Sequence, residues 1–431
     1  MDFDIASFLI QNRPAADIQN DLSKGVGFAE QLQKLINRKK TPLTIEALRE
    51  WLSDNGISVR RNVINHTIEI DGLDAEYDCE TVSSSLHVIL HDRLKDEFVC
   101  TSSLVSDLLD VVSGMSRFNP VLDMLKAAPP WDGVDRAEQL TDILHIPADD
   151  ALSRVLLRKW LWQCLAMANN DLGGAYGADG MLVLQGPQGI GKTTFCRVLA
   201  VRPDLVKTGM YIDSRDKDTL RRTTSCWIAE LGEVETTLRS DLERLKAFVT
   251  AECDIYRLPY GRSDQTLARR TSLIATCNST RFLIDPTGSR RFWTIPVAQI
   301  DLQALNDFDA LQLWKQIEEE IAGDPQCFRL TQIEQAELAR RNGAHEKPLK
   351  AQMECEDILA DAAERPAAFI WVYQSVSDFK TDNQILSHYS VEQIAKALDK
   401  LGIKAERKTV NGKQIRARYL PRHNWTIAKT A

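Results

Sequence analysis

One stretch of this 431-residue chain constrains everything around it: Gly186-Pro187-Gln188-Gly189-Ile190-Gly191-Lys192-Thr193. It fills every fixed position of the pattern G-x-x-x-x-G-K-[ST]. The apolar run Met181–Leu184 before it reads as a buried strand, and Thr194–Ala200 after it reads as a helix. Strand, glycine loop and helix in that order is the context in which such a loop holds phosphate. Glycines let successive backbone N–H groups turn inward as an anion nest. The helix N-terminus adds its partial positive charge. Lys192 is then placed to reach β- and γ-phosphates and Thr193 to ligate Mg²⁺, with Thr194 in the same cradle. The expected ligand is a nucleoside triphosphate, ATP, with Mg²⁺.

The chain is too long for one ordinary core, so two to four domains are expected. No stretch is apolar enough, for long enough, to cross a bilayer. Met1-Asp2-Phe3-Asp4-Ile5 carries acids where a secretory leader carries bases. The nine cysteines include no C-x-x-C pair, which fits a reducing compartment and neither a disulfide framework nor a zinc ribbon. A cytoplasmic protein is expected, with no membrane partner. At a formal charge of −8, any nucleic-acid surface must be a local patch.

In chain order, residues 1–43 read as a polar arm. Residues 44–130 read as a small helix-and-hairpin domain, with helices at Thr44–Leu52 and Val82–Leu94, two short strands within Val59–Gly72, and a turn cluster at Ala127–Gly133. His87 and His91 stand four apart with Cys79 and Cys100 flanking, but the cysteines are not closely paired. They read as core and surface residues, not as a metal site. Residues 131–345 hold the phosphate loop, a helical lead-in at Leu152–Ala168, a lid helix at Leu302–Ile321 and a charged helix at Leu330–Arg341. Residues 346–431 read as winged-helix-like: a helix at Ser390–Gly402, then a hairpin turning at Asn411-Gly412. Residues 401–431 carry Lys404, Arg407, Lys408, Lys413, Arg416, Arg418, Arg422 and Lys429 against Glu406 alone, eight bases to one acid. That basic segment on a DNA-reading topology points to DNA contact.

Further motifs follow the phosphate loop. Ser225–Glu233 reads as a second buried strand ending in acids, where Mg²⁺ and the attacking water are held. Glu230 is the candidate for the metal shell and Glu233 for water activation. Thr271–Asn278 reads as a third strand, with the Asn278 amide placed to orient water and sense the γ-phosphate. Arg290 and Arg291 stand just before another strand and can supply positive charge to the γ-phosphate, in cis or from a neighbouring subunit. From Arg257 to Arg291 seven arginines face two aspartates. Arginines interleaved with Tyr256 and Tyr260 suit a sequence-tolerant grip on a nucleic-acid strand.

Together, Gly186–Thr193, Trp227-Ile228-Ala229-Glu230, Lys246–Arg262, Ala275-Thr276-Cys277-Asn278 and Gly288-Ser289-Arg290-Arg291-Phe292-Trp293 resemble the virulence-associated protein E family of phage and mobile-element ATPases. They also resemble the wider superfamily 3 helicases of the AAA+ class. Phe118-Asn119-Pro120-Val121 and Trp131–Arg136 share the likeness, which covers roughly residues 115–300. It implies an α/β fold: an AAA+ core with a parallel sheet, between a small N-terminal α+β domain and the C-terminal winged helix. It implies a ring, expected to be a hexamer, and ATP-driven movement on single-stranded or forked DNA during replication. It also implies that residues 246–262 face DNA in the pore, with Lys246, Arg257 and Arg262 in contact. The split pair Glu230/Glu233 departs from an adjacent acidic pair and leaves the catalytic base open. Two other readings fit the same residues: an ATP-gated initiator or loader that does not unwind, and a regulatory or defence ATPase with a protein target.

Overall fold

The computed structural model describes residues 40–73, 82–212, 216–232, 242–257, 264–280, 282–283, 289–345, 350–410 and 413–423. Glu233, Tyr260, Arg262, the turn Asn411-Gly412 and Lys429 lie outside these residues, as do Cys79 and most of the N-terminal arm. The chain divides into two compact units between Pro120 and Val121. Apart from its first residue, the helix Pro120–Ala127 falls in the second unit, whereas the sequence reading draws the boundary at residue 130.

In the first unit, Thr44 caps the helix Ile45–Asp54 by accepting from the Ala47 N–H. The strands Ile68–Asp71, Ser58–Asn62 and Arg117–Phe118 form a three-stranded sheet in that spatial order. Leu48, Trp51, Leu86, Leu90, Val105 and Leu109 bury the apolar stripes of three helices in one core.

The second unit is built on a five-stranded parallel sheet: β1 (Met181–Gln185), β2 (Val206–Met210), β3 (Ile228–Leu231), β4 (Ser272–Cys277) and β5 (Phe292–Pro296). The spatial order is β5-β1-β4-β3-β2. β4 is thus inserted between β1 and β3, with Ile274 in register with both Leu182 and Glu230. All residues of β1, β3 and β4 are buried, as expected where helices cover both faces of a parallel sheet. Helix α1 (Ala151–Ala168) buries 13 of its 18 residues. Helix α2 (Lys192–Leu199) follows β1, and helix α3 (Ala310–Ile321) lies beyond β5. The Trp160, Trp227 and Trp314 side chains are fully buried, and their indole N–H groups donate to the carbonyls of Leu273, Cys164 and Leu199. Each large ring therefore enters the core without leaving a polar atom unsatisfied.

The helix expected over Leu302–Ile321 is two helices, Leu302–Asn306 and α3. Asp301 and Asp309 each cap a helix start, so Asp307-Phe308-Asp309 ends the first and begins the second. Residues 350–423 add three helices, Lys350–Glu364, Val376–Asp382 and Val391–Lys400. They also add a sheet in the order Phe369–Gln374, Lys413–His423, Glu406–Val410. Phe379, Leu386, Ile394, Leu398 and Leu420 form their shared core. The capping box of Val391–Lys400 uses Ser390 and Gln393, not the nearer Glu392.

Candidate functional site

The carboxyl ends of β1, β3 and β4 converge on one open cleft of about 530 Å³. It is lined by Gln188, Gly189, Gly191, Lys192, Thr193 and Thr194 from the glycine loop and α2, Arg197 from the next turn, Thr208 and Gly209 from β2, Glu230 from β3 and Gly232 just after it, and Thr276 from β4 and Asn278 just after it. The backbone demands glycine here. Gly189 and Gly191 adopt φ of +83° and +99°. A Cβ on Gly186 would sit 1.9 Å from the Val297 carbonyl oxygen and 3.3 Å from Ile190 Cδ1.

Lys192 is 7% exposed, and its ammonium donates to the Gly186 and Pro187 carbonyls at 2.6 Å each and to Asn278 Oδ1 at 3.1 Å. Burial lowers its pKa from the usual lysine value, against the upward pull of Cys277 and Glu230. Glu230 is 1% exposed. Its Oε1 accepts from Thr193 Oγ1 at 2.8 Å and from Thr276 Oγ1 at 3.2 Å, and its Oε2 accepts from the Gly209 N–H at 3.2 Å. Thr193 and Glu230 present adjacent hard oxygens, the donor type that Mg²⁺ takes. Lys192, Thr193, Glu230 and Asn278 thus meet although 86 residues separate Lys192 from Asn278. The insertion of β4 between β1 and β3 brings Thr276 to the Glu230 carboxylate and Asn278 to the Lys192 ammonium.

Thr208, Gly209, Arg197 and Thr276 were not read from the sequence as site residues. β2 is Val-Lys-Thr-Gly-Met, short and polar, at the sheet edge. Gly209 has φ +66° in the middle of it, a signal that the backbone there approaches another group. Arg197 Nη2 donates to Thr208 Oγ1 at 3.2 Å, which ties α2 to that edge strand.

Arg290 and Arg291 form a single 3-10 turn ahead of β5. Arg290 is exposed; Arg291 is half-buried, and its Nε is buried with no hydrogen-bond acceptor among the described residues. In the segment expected to face DNA, Lys246 is 5% exposed on the helix Leu242–Val249, so it offers no surface contact. Arg257 is exposed at the end of an antiparallel pair, Cys253–Tyr256 with Gln265–Ala268. Arg269 is a structural ion: 2% exposed, it lies over the Phe248 ring and donates through Nε to Asp254 at 2.6 Å.

On the C-terminal hairpin, Lys404, Arg407 and Arg416 are exposed, and Lys408 pairs with Glu406 at 2.9 Å. Lys413 opens the middle strand in register with Val410. Arg418, expected to contact DNA, is 3% exposed, and its Nη1 donates to Asp399 at 2.6 Å and to the Ile403 carbonyl. It anchors the hairpin to the helix Val391–Lys400 instead.

A five-stranded parallel sheet flanked by helices, with its strand ends converging on one cleft, makes this an α/β protein. The virulence-associated protein E-like domain matches residues 125–347, and the chain belongs to that family. Among solved structures, an apo structure of the NrS-1 C-terminal region is 14% identical, with 89% of this chain and 100% of that chain covered, at a TM-score of 0.45. An A form of the same region is 15% identical, with 88% and 100% covered, at a TM-score of 0.46. No curated protein matches the sequence. Among the described residues, no helix is long and apolar enough to cross a membrane.

Proposed function

We infer that this chain is an ATP-hydrolysing DNA helicase or translocase of phage or mobile-element replication. In this reading it works as a ring, a hexamer, with an AAA+ core and a C-terminal winged helix. The observation that supports it best is the convergence of Lys192, Thr193, Glu230 and Asn278 at the ends of neighbouring parallel strands. Lys192 now satisfies its ammonium with two loop carbonyls; an incoming β,γ-phosphate replaces them with charge-assisted bonds. The loop amides and the start of α2 hold the remaining phosphate oxygens. Thr193 and Glu230 would hold Mg²⁺, which neutralises phosphate charge when bound. Asn278 shares Lys192 and is placed to orient water at the γ-phosphate. Glu230 or Glu233 activates that water, and Arg290 or Arg291 serves the transferring phosphoryl group, from a neighbouring subunit in a ring.

The test is the ATPase rate of the full chain with and without single-stranded DNA, over a range of protein concentration. A DNA motor with shared sites gives a rate that rises with DNA and faster than linearly with protein. Lys192→Ala abolishes turnover while leaving the unfolding transition in place. A rate indifferent to DNA would replace this reading with a regulatory ATPase acting on protein. Rings formed on DNA without strand separation would replace it with an initiator or loader.

A further inference from the structure

β4 ends at Cys277, so Asn278 stands one residue beyond the strand. Its placement therefore depends on what holds the chain that follows it. Residues 280, 282 and 283 all meet His345, the last residue of the helix Gln332–His345. The His345 Nδ1 lies 2.8 Å from the Thr280 carbonyl oxygen. A carbonyl only accepts, so Nδ1 carries the hydrogen and donates it. The Leu283 N–H donates to the His345 carbonyl at 3.1 Å. The fully buried Phe282 ring lies 5.7 Å from the imidazole, centroid to centroid.

A residue can position another only if it is itself held in place. One turn earlier on the same helix, Asn342 is fully buried and donates to the Phe292 carbonyl at 2.9 Å. Phe292 opens β5, which pairs with β1, the strand that leads into the phosphate loop. The end of the helix is thus tied to the sheet on one side and to residues 280–283 on the other. From Asn278 the line of contacts closes on Lys192 at 3.1 Å. A single bond from a half-buried ring adds only modestly to stability. Its larger consequence is the path the chain takes as it leaves β4, and a small misplacement of a group that meets the reacting phosphate is costly.

We propose that His345 is a positioning residue of the ATP site and acts through Asn278. Its Nδ1–H fixes the Thr280 carbonyl, and with it the place from which the Asn278 amide meets Lys192 and an incoming γ-phosphate. The proposal rests on the reading of the cleft as an ATP-hydrolysing site. Two variants separate the donor from the bulk of the ring. H345N keeps an N–H at the Nδ1 position and loses the ring; H345L fills the space beside Phe282 and has no donor. Turnover of the full chain is followed at saturating Mg²⁺ and varied ATP, with and without single-stranded DNA. H345L is expected to lower kcat roughly tenfold or more, with KM changed by less than about twofold. H345N keeps most of the wild-type kcat. In single-turnover assays with enzyme in excess, N278A/H345L is expected to be no slower than N278A, because the two residues act as one unit. H345L as fast as the wild type overturns the role. So does H345N failing as H345L does, or losses that multiply in the double variant, the mark of a contact that only supports the fold. A wild type that hydrolyses no ATP overturns the ATPase reading and this role with it. A wild-type rate indifferent to DNA overturns the motor alone, and the comparison of H345L with H345N still decides the role of His345.

Discussion

Glu230 is held from three directions, by two threonine hydroxyls and one backbone N–H, in a fixed orientation beside Thr193. Glu230→Gln keeps the shape but loses the charge; ATP turnover is expected to fall by about a hundredfold or more, with ATP binding retained in an equilibrium titration. Two backbone positions make stability predictions. Gly186→Ala drives a methyl group into the Val297 carbonyl and is expected to cost at least ~2 kcal/mol in denaturant unfolding. Val201, just beyond Ala200, the C-cap of α2, adopts φ +62°, a left-handed conformation that strains a β-branched residue. Val201→Gly is expected to raise stability by roughly 1 kcal/mol, read as a higher denaturation midpoint.

At the scale of elements, α1, α3 and the helix Arg136–Ile143 are joined by one ionic knot. Arg158 donates to Glu320 through Nε at 3.2 Å and Nη2 at 2.5 Å, and to Asp135 at 3.2 Å. Trp162 and Gln316 also donate to Glu320. Burial pushes the Glu320 carboxyl up, but these donors outweigh it and leave it below the usual glutamate value. Asp135 and Asp150 are lowered by the same balance. A carboxylate lowered in the folded state stabilises above its unfolded pKa and loses that contribution as pH falls through the folded one. The thermal midpoint is therefore expected to hold down to about pH 4 and to decline below it. Arg158→Ala lowers the plateau and flattens the decline, measured by tryptophan fluorescence. What the sequence made legible follows the same scale. The phosphate loop, the cap at Ser390 and the buried strands are local patterns, and local patterns can be read in order. Arg418 could not be placed, because its role depends on Asp399, 19 residues earlier on another element. Thr208 and Gly209 could not be placed either. Their part in the site comes from the pairing of β2 with β3, which a short polar strand does not announce. Asn278 was readable as a candidate, but its contact with Lys192 depends on strand order.

For the whole molecule, the division of labour between subunits can be measured by mixing. If Arg290 or Arg291 completes a neighbour's site, a variant lacking both arginines and a Glu230→Ala variant are each inactive alone. Mixed rings then contain some intact sites, and turnover is expected to recover in part, with a maximum near equal proportions. Absence of recovery at every ratio places the arginines in their own subunit's site.

The place of β4 in the sheet also bears on how the protein is made. β1 and β3 leave the ribosome first, yet neither is the other's neighbour; the strand that joins them is synthesised later, at Ser272–Cys277. Until it arrives, the nascent chain displays two apolar strands with open inner edges, and non-local parallel pairing of this kind is slow. Synthesis that stalls before residue 272 leaves an adhesive half-sheet. The cleft that gathers Lys192, Glu230 and Asn278 cannot exist before that strand does.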